Sequence, residues 1–180
     1  MTDRIFSTLF ALAALLVSPA FTSAQTCPGS AGCLDPSFNG TGKQVITLPS
    51  GTSQRGHVQQ NDGRIVSLVQ SPNSGSLLRL NTDGSLDASF GGTGSVNLGW
   101  NYSSALPSGF PYGLAIQVVG AEQRIVVVGS WTVSSGRKSS KMYLRVDRYN
   151  NNGTRDASFG SNGTALIDKP YALAVAVQPV

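Results

Sequence analysis

The stretch RLNTDGSLDASF at residues 79–90 returns as RYNNNGTRDASF at residues 148–159. Its second half, built around Asp-x-Ser-Phe, occurs three times, as LDPSFNGTG (34–42), LDASFGGTG (86–94) and RDASFGSNG (155–163). A period of roughly 50 residues or more is typical of repeat architectures, in which each copy is one supersecondary unit packed against its neighbours. The sequence therefore predicts a chain built from like units.

Each unit is predicted to contain four short strands. In the first unit these are QVITL (44–48), GHVQQ (56–60), RIVSLVQ (64–70) and SLLRLN (76–81). The segments are rich in Val, Ile and Leu and are separated by Asn-Asp-Gly or Asp-Gly turns, which suit tight antiparallel connections. No part of the mature chain has helical periodicity over more than one turn. We therefore expect an all-β fold of propeller-blade-like, four-stranded antiparallel repeats.

The composition supports a β fold and excludes two other classes. Only 12% of the 180 residues are charged, which is too few for a charge-rich disordered chain or a coiled coil. The chain has 21 Gly and 9 Pro, which favours many tight turns. Its length is sufficient for one domain with a core.

The first 24 residues are predicted to be a secretory signal peptide. Arg4 precedes the apolar run IFSTLFALAALLV at 5–17, and small residues follow before a cleavage site at Ala24–Gln25. This run is shorter than the roughly 20 residues that span a bilayer, and an uncleaved anchor is the alternative. We expect a product that is secreted, periplasmic or on the cell surface, without a membrane span in the mature chain.

Cys27 and Cys33 lie in the segment 25–33, directly after the predicted cleavage site. Export to an oxidising compartment favours a disulfide that closes this small loop. Two thiols without matching ligands do not make a zinc site. A lipid anchor on Cys27 is the weaker alternative, because Gln25 and Thr26 precede it instead of small residues.

The linked motifs resemble the delta-60 repeat family. The resemblance rests on L-D-x-S-F-G-x-x-G, an A-x-A-x-Q-P strand, D-G-[KR]-I-V-V and R-[YL]-N-x-D-G in register, and it extends from residue 34 to residue 180. It implies a secreted bacterial protein with a β-propeller-like fold and no assigned activity. The chain departs from the pattern at Ala121-Glu122-Gln123, where the family has Pro-Asp-Gly.

The repeats divide the chain into two full units, 34–85 and 86–154, and the start of a third at 155–180. Propellers close with roughly 4–8 blades, so about two and a half units make an incomplete ring. We expect a piece of a longer repeat protein; the alternative is a short protein that completes its sheet by oligomerising. The apolar strand YALAVAVQP at 171–179 would have a free edge and could associate with other chains.

The second unit is longer than the first, with insertions near 100–112 and 134–141 that are predicted to be loops at one end of the sheet. Variable loops on one face of a repeat protein often carry binding. Aromatic rings and cations suit an acidic glycan or another cell-envelope component. The candidate ligand-binding residues are Trp100, Tyr102, Tyr112, Trp131, Arg137, Lys138 and Lys141, with Phe110 beside them. The alternative is that the aromatics pack internally and the cations only solvate the surface.

The three Asp-x-Ser-Phe segments, which we call connectors, offer structural anchors and a weak metal site. They are residues 34–42, 86–94 and 155–163. Phe38, Phe90 and Phe159 are predicted to pin each connector to its sheet. Asp83 and Asp87 are weak calcium candidates, because oxygen side chains surround Gly84 but no bidentate Glu follows. A capped turn is the simpler interpretation, and we expect no cofactor.

Catalysis has few candidate residues. His57 is the sole histidine and Glu122 the sole glutamate, with Asp62 as a further carboxylate. No G-x-S-x-G or comparable nucleophile motif accompanies them. Nucleic-acid binding is disfavoured because the basic cluster is small and the chain is exported. We expect a non-catalytic scaffold or binding module, with a secreted hydrolase or lyase as the alternative.

Overall fold

The computed structural model describes residues 33–100, 108–136, 139–168 and 174–177, and for 134–136 only the backbone. The chain divides into two compact units, Met1–Cys33 and Leu34–Val180, and of the first only Cys33 is described. The expected signal peptide and Cys27 lie outside the described residues, so export and the Cys27–Cys33 disulfide stay predictions. Within the described ranges, no helix is apolar and long enough to cross a membrane.

The described part of residues 34–180 forms two antiparallel sheets of four strands each. Sheet 1 contains β1 (Ser53–Gln59), β2 (Ile65–Gln70), β3 (Gly75–Leu80) and β4 (Ser95–Asn97), in that order. Sheet 2 contains β5 (Ser108–Val119), β6 (Glu122–Gly136), β7 (Ser139–Asn150) and β8 (Thr164–Ile167), also in order. Helical structure in the described ranges is limited to a 3-10 turn at Phe90–Gly92. The predicted all-β fold of propeller-blade-like repeats is confirmed.

Three of the four strands predicted for the first unit are present in sheet 1 as β1, β2 and β3, but the predicted strand 44–48 is not. Residues 44–48 belong to no strand, whereas β4 lies beyond the connector and pairs with β3. The connector is held to β3 by hydrogen bonds from Asp87 N to Arg79 O (2.9 Å) and from Arg79 N to Gly94 O (3.1 Å). Because these bonds bring Ser95 to the free edge of β3, each sheet combines strands from two successive sequence copies.

The hydrophobic core lies between the two sheets. Alternate residues of β2 point to opposite faces, so Val66 and Leu68 share the face that turns towards sheet 2. Ile125 and Val127 of β6 meet them from the other side, and all four side chains have no exposed surface. Full burial of such side chains contributes about 1.5–3 kcal/mol each. Ile125 is the sequence counterpart of Ile65, which points away from the core on the other face of β2 from Val66. The two sheets therefore contribute opposite faces to the core, so that the same face of each points in the same direction, as in propeller blades.

Within the described residues, part of the extra length of the second unit lengthens its strands. Strands β5, β6 and β7 have 12, 15 and 12 residues, against 7, 6 and 6 for β1, β2 and β3. Residues 108–112 begin β5, and the pairing of β6 with β7 continues to Gly136 and Ser139. The described parts of the predicted loops, 108–112, 134–136 and 139–141, thus continue the antiparallel ladder, whereas residues 101–107 and 137–138 lie outside the described residues.

Candidate functional site

The Asp-x-Ser motif of each connector organises a small polar cluster. One carboxylate oxygen of Asp87 accepts hydrogen bonds from Ser89 N (3.0 Å) and Ser89 Oγ (2.6 Å). The other oxygen accepts from Arg79 Nε at 2.8 Å. The Arg79 guanidinium also lies over the Phe90 ring, 4.5 Å from its centroid. One motif thus fixes the connector to β3 by charge and by ring contact.

The second connector repeats this cluster. Asp156 accepts hydrogen bonds from Ser158 Oγ at 2.6 Å and from Arg148 Nε at 2.8 Å, and the Arg148 guanidinium lies 4.6 Å from the centroid of Phe159. The Ser158 hydroxyl bond, with the Arg148 charge as a further cause, lowers the pKa of Asp156 to about 2. The Ser89 hydroxyl and Arg79 likewise lower the pKa of Asp87. Both carboxylates are ionised at neutral pH.

The two calcium candidates are occupied in capping turns. The Asp83 carboxylate accepts from Ser85 N at 2.9 Å and from Ser85 Oγ at 2.6 Å, and Asp87 is held as described above. No group of three or more His, Cys, Asp or Glu side chains that could hold a metal ion is found in the described ranges. These contacts favour the interpretation of Asp83 and Asp87 as turn-capping residues.

The first two connector phenylalanines each pack on the turn glycine of the sheet that follows in the chain. The Phe38 ring contacts Gly84, and the Phe90 ring contacts Gly153, whose positive φ of 90° and missing side chain leave the space for the ring. A Cβ atom on Gly153 would lie 3.0 Å from a ring carbon of Phe90. Phe90 is fully buried, while Phe38 and Phe159 are half-buried.

Backbone hydrogen bonds accompany these ring contacts. Asn39 N donates to Asp83 O at 2.7 Å, and Gly91 N donates to Asn152 O at 3.0 Å. We call this combination, a phenylalanine ring on a turn glycine with one backbone bond beside it, the joint between units. It is formed at the same position of two connectors, which explains why Asp-x-Ser-Phe and the Asn-x-x-Gly turn recur together.

Trp100, a predicted ligand-binding residue, is buried in the interface between the sheets. It has no exposed surface, and its indole N–H donates to Asp147 Oδ2 at 2.7 Å. The ring lies against Gly129, where a Cβ atom would approach it to 2.6 Å. The expected position of Trp100 on an exposed face is therefore wrong: its apolar ring fills the space above a glycine and its N–H satisfies a buried acid.

Asp147 is the centre of a buried polar cluster that sequence reasoning missed. Its carboxylate has no exposed surface and accepts from Arg145 Nε at 3.0 Å and Thr164 Oγ1 at 2.7 Å. Arg155 Nη1 lies 3.2 Å from the same carboxylate. Burial and the Asp147 charge raise the pKa of Tyr149, whose hydroxyl is 3.4 Å away. The alternation Arg145-x-Asp147-x-Tyr149 in a strand was the available signal.

Trp131, Tyr143 and Lys141 form what we call the aromatic–basic strip. Trp131 is half-buried and packs edge to face on Trp100, with 6.1 Å between centroids. Tyr143 pairs with Trp131 across the strands, and Lys141 is the next residue on the same face. The Lys141 Nζ lies 5.1 Å from the Tyr143 centroid and 2.8 Å from Asp168 Oδ2.

Arg145 contacts the Trp131 ring of this strip and the buried Trp100 ring. Its guanidinium lies 4.7 Å from the Trp100 centroid and 4.4 Å from the Trp131 centroid, and it is held by Asp147 at 2.9 Å. Because the guanidinium is fixed on both rings and by a buried acid, the Trp131 ring is held in one orientation. A ring fixed in advance loses little conformational freedom when a ligand stacks on it.

The other predicted ligand-binding residues are not gathered on this strip. Tyr112 is half-buried, stacks on Phe110 with 6.2 Å between centroids, and lies 3.5 Å from Ser130 Oγ. Since Ser130 and Trp131 are neighbours in β6, they face opposite sides of sheet 2. Tyr102, Arg137 and Lys138 lie outside the described residues. The structure thus brings Trp131 and Lys141 together and places Tyr112 on the opposite face.

The catalytic candidates are distributed as follows. Asp62 and Glu122 both line a polar cleft of about 470 Å³ between the turns of the two sheets. Each is paired with an arginine two residues later, Asp62 with Arg64 at 2.8 Å and Glu122 with Arg124 at 2.5 Å. His57 is exposed in β1 and is not among the residues that line this cleft.

In the comparisons with known proteins, one family model matches part of the chain. The family model described as a domain of unknown function (DUF5122) beta-propeller matches residues 60–90, which contain β2, β3 and the first connector as far as Phe90. No curated protein and no solved structure matches the chain. The match and the two stacked sheets agree on a β-propeller repeat.

Proposed function

We propose that the chain is an exported, non-catalytic module whose aromatic–basic strip binds an acidic glycan of the cell envelope. The observation that carries this proposal is that two half-buried aromatic rings and a lysine are held together at one end of a rigid sheet. The strip lies where β6 ends and β7 begins, beyond the shorter strands of sheet 1.

The distribution of charge supports an acidic ligand. The chain has 13 Lys and Arg against 9 Asp and Glu. Residues 125–146 contain Arg137, Lys138, Lys141 and Arg145 but no Asp or Glu. The rest of the chain therefore has nine basic residues (Lys and Arg) and nine acidic residues (Asp and Glu). The whole positive excess therefore belongs to the hairpin that carries the strip. Such a local excess attracts anionic polymers and makes their binding dependent on salt.

The chemistry of the strip suits a sugar acid. A pyranose ring stacks on the flat face of Trp or Tyr, and a carboxylate accepts charge-assisted hydrogen bonds from an ammonium group. The hydrogen bond from Lys141 to Asp168 raises the pKa of Lys141, which keeps it charged at neutral pH. A ligand carboxylate could take the place of Asp168 at this exposed pair.

The acid–base residues support a module without catalysis. The carboxylates that share a cleft, Asp62 and Glu122, are each tied to an arginine, and this favours a charge-balanced surface over a proton-transfer pair. His57, the sole histidine, lies on a different strand and is exposed.

Calorimetric titration with a polyuronate and with its neutral counterpart tests the proposal. We expect binding of the polyuronate only, weakened by added salt and at least tenfold by Trp131→Ala, which corresponds to about 1.4 kcal/mol. Tyr112→Ala, on the opposite face of sheet 2, is the matched control and should bind like the unchanged chain. Absence of binding, or binding that Trp131→Ala leaves intact, would contradict the site. Polyuronate cleavage that Asp62→Asn or Glu122→Gln abolishes would contradict the non-catalytic part.

A further inference from the structure

The elements of the joint are present in three connectors, but the described residues contain only two turns to receive them. Phe38 and Phe90 each pack on a turn glycine, whereas Phe159 has no such glycine beside it in the described ranges. The difference is visible in burial, since Phe90 has no exposed surface and its counterpart Phe159 is half-buried. In the described ranges, the third connector therefore presents its half of a joint without a receiving turn.

Arg79 and its counterpart Arg148 differ in burial in the same way as Phe90 and Phe159. Arg79 is 3% exposed and reaches across to the next unit, where its Nη1 donates to the backbone oxygen of Asn151. Gln60 accompanies it and donates to Asn151 Oδ1 at 2.6 Å. Their counterparts Arg148 and Gln117 bond to each other at 3.2 Å and are both half-buried.

The sheet faces repeat the asymmetry. We call the face of each sheet that carries Leu77 or its counterpart Val146 the front, and the face that carries Ile65 or its counterpart Ile125 the back. Leu77 and Ile125, which meet in the interface, have no exposed surface. Val146 and Ile65, on the two outer faces, are half-buried. The front of sheet 2 and the back of sheet 1 are therefore the counterparts of the two surfaces that meet inside the chain. Both are partly covered, since Val69 and Leu80 on the back of sheet 1 and Val126 and Val128 on the front of sheet 2 are buried.

We propose that the front of sheet 2 binds the back of sheet 1 of a second copy of this chain, repeating the internal interface head to tail. Phe159 would pack on Gly84 of the second copy, and Gly160 N would donate to its Asp83 carbonyl, as Gly91 N does to Asn152. Arg148 would reach the carbonyl of its Thr82, the counterpart of Asn151. The contact is heterologous, so further copies add by the same rotation.

Two segments of the chain occupy these faces and give way when a second copy binds. Ala174 and Val175 lie against Gly113 on the front of sheet 2, in the place that Leu114 takes against Gly56 in the internal interface. Ile46 and Leu48 line a groove with Val69 and Leu78 on the back of sheet 1. Ile46, Leu48, Ala174 and Val175 belong to no strand, so a second copy can displace them without breaking the pairing of any strands.

Sedimentation equilibrium of the purified chain over a wide concentration range tests the proposal. We expect a mass of at least two chains, and we expect Ser67→Lys or Ala115→Lys to weaken association at least tenfold. Ser67 is half-buried on the back of sheet 1, and Ala115 is half-buried on the front of sheet 2. Val118→Lys adds the same charge to the same strand as Ala115→Lys, at an exposed position, and should associate normally. Circular dichroism establishes that each variant is folded.

Mixing the two variants distinguishes this contact from any symmetric one. Ser67→Lys leaves the front of sheet 2 intact and Ala115→Lys leaves the back of sheet 1 intact, so an equimolar mixture should form one-to-one dimers. Differently labelled copies measure this by energy transfer. The proposal is overturned if the unchanged chain has the mass of one copy throughout, which would mean that other groups cover the faces. It is also overturned if both variants still associate or if their mixture stays monomeric.

Discussion

The indole N–H of Trp100 donates a 2.7 Å hydrogen bond to the Asp147 carboxylate, and neither side chain has exposed surface. Trp100 follows β4 of sheet 1 and Asp147 lies in β7 of sheet 2, so the bond crosses the interface between the units. A buried carboxylate is tolerated only where donors surround it. Sheet 1 has Leu78 at the counterpart of Asp147, so this face of sheet 2 is matched specifically to a partner that carries a tryptophan.

Replacing Trp100 by phenylalanine tests this bond. Trp100→Phe keeps an aromatic ring but removes one donor from Asp147, and a buried group that loses its partner costs about 1–3 kcal/mol of unfolding free energy. Urea unfolding measures the loss. Trp131→Phe, at a half-buried position, should cost less, and an equal loss in both variants would contradict the role given to the Trp100 bond. Glycan binding should survive Trp100→Phe because Trp100 is not on the surface.

The two connector phenylalanines should differ in their contribution to stability. Phe90→Ala empties a fully buried site between two units, and such truncations cost about 3–5 kcal/mol. Phe159→Ala removes a half-buried ring with the same local sequence and should cost clearly less. Differential scanning calorimetry compares the two variants. Equal losses would show that the ring anchors only its own connector and not the joint.

The turn glycine of the joint is predicted to be sensitive to a single methyl group. Gly153→Ala places a Cβ atom 2.6 Å from Val96 Cγ2 and 3.0 Å from the Phe90 ring, at a residue with φ of 90°. Gly120→Ala is the matched control, because Gly120 also has a positive φ, of 62°, but nothing within 4 Å of its Cβ position. The control should show only the cost of the backbone conformation, about 1 kcal/mol. A Gly153→Ala variant no less stable than Gly120→Ala would contradict the close packing of Val96 and Phe90 on this glycine.

Stability is predicted to fall in acid. The folded pKa of Asp156 is about 2, below the ordinary value of about 3.9, and the pKa values of Asp35, Asp83 and Asp87 are lowered too. At a pH between the folded and the unfolded pKa values, the unfolded chain binds more protons than the folded chain. The stability that these carboxylates contribute is therefore fully present above about pH 4 and is lost as the pH falls towards 2. Urea midpoints measured from pH 7 to pH 2 should follow this course.

Asp156→Asn provides the control for the acid dependence. The variant should be less stable at pH 7, because Arg148 loses its charged partner, and its stability should depend less on pH between 4 and 2. A pH course identical to that of the unchanged chain would mean that Asp156 is not held as the structure shows.

Local patterns in the sequence predicted the strands and turns well. Strands β1, β2 and β3 lie within one to three residues of the predicted 56–60, 64–70 and 76–81, because short apolar runs between Asn/Asp-Gly turns leave few alternatives. The insertions were interpreted as loops, but their described residues 108–112, 134–136 and 139–141 lie in strands.

The features that were missed depend on contacts far apart in the chain. Residues 44–48 have the composition of a strand, but within the described ranges they pair with no strand, and the fourth strand of sheet 1 is β4, which pairs with β3. Trp100 looked like a surface aromatic because its partner Asp147 lies 47 residues away. The aromatic–basic strip was half found, since Trp131 and Lys141 were named while Tyr143 and Arg145, on the same face of β7, were not.

The central claim is that like sheets stack front to back through the joint of Phe90 with Gly153. Nuclear Overhauser spectroscopy of the isotope-labelled chain measures it most directly, through contacts between phenylalanine ring protons and glycine Hα protons. We expect cross-peaks from Phe90 to Gly153 and from Phe38 to Gly84. Cross-peaks from Phe90 to Gly84, which would fold the connector back on its own unit, would contradict the claim.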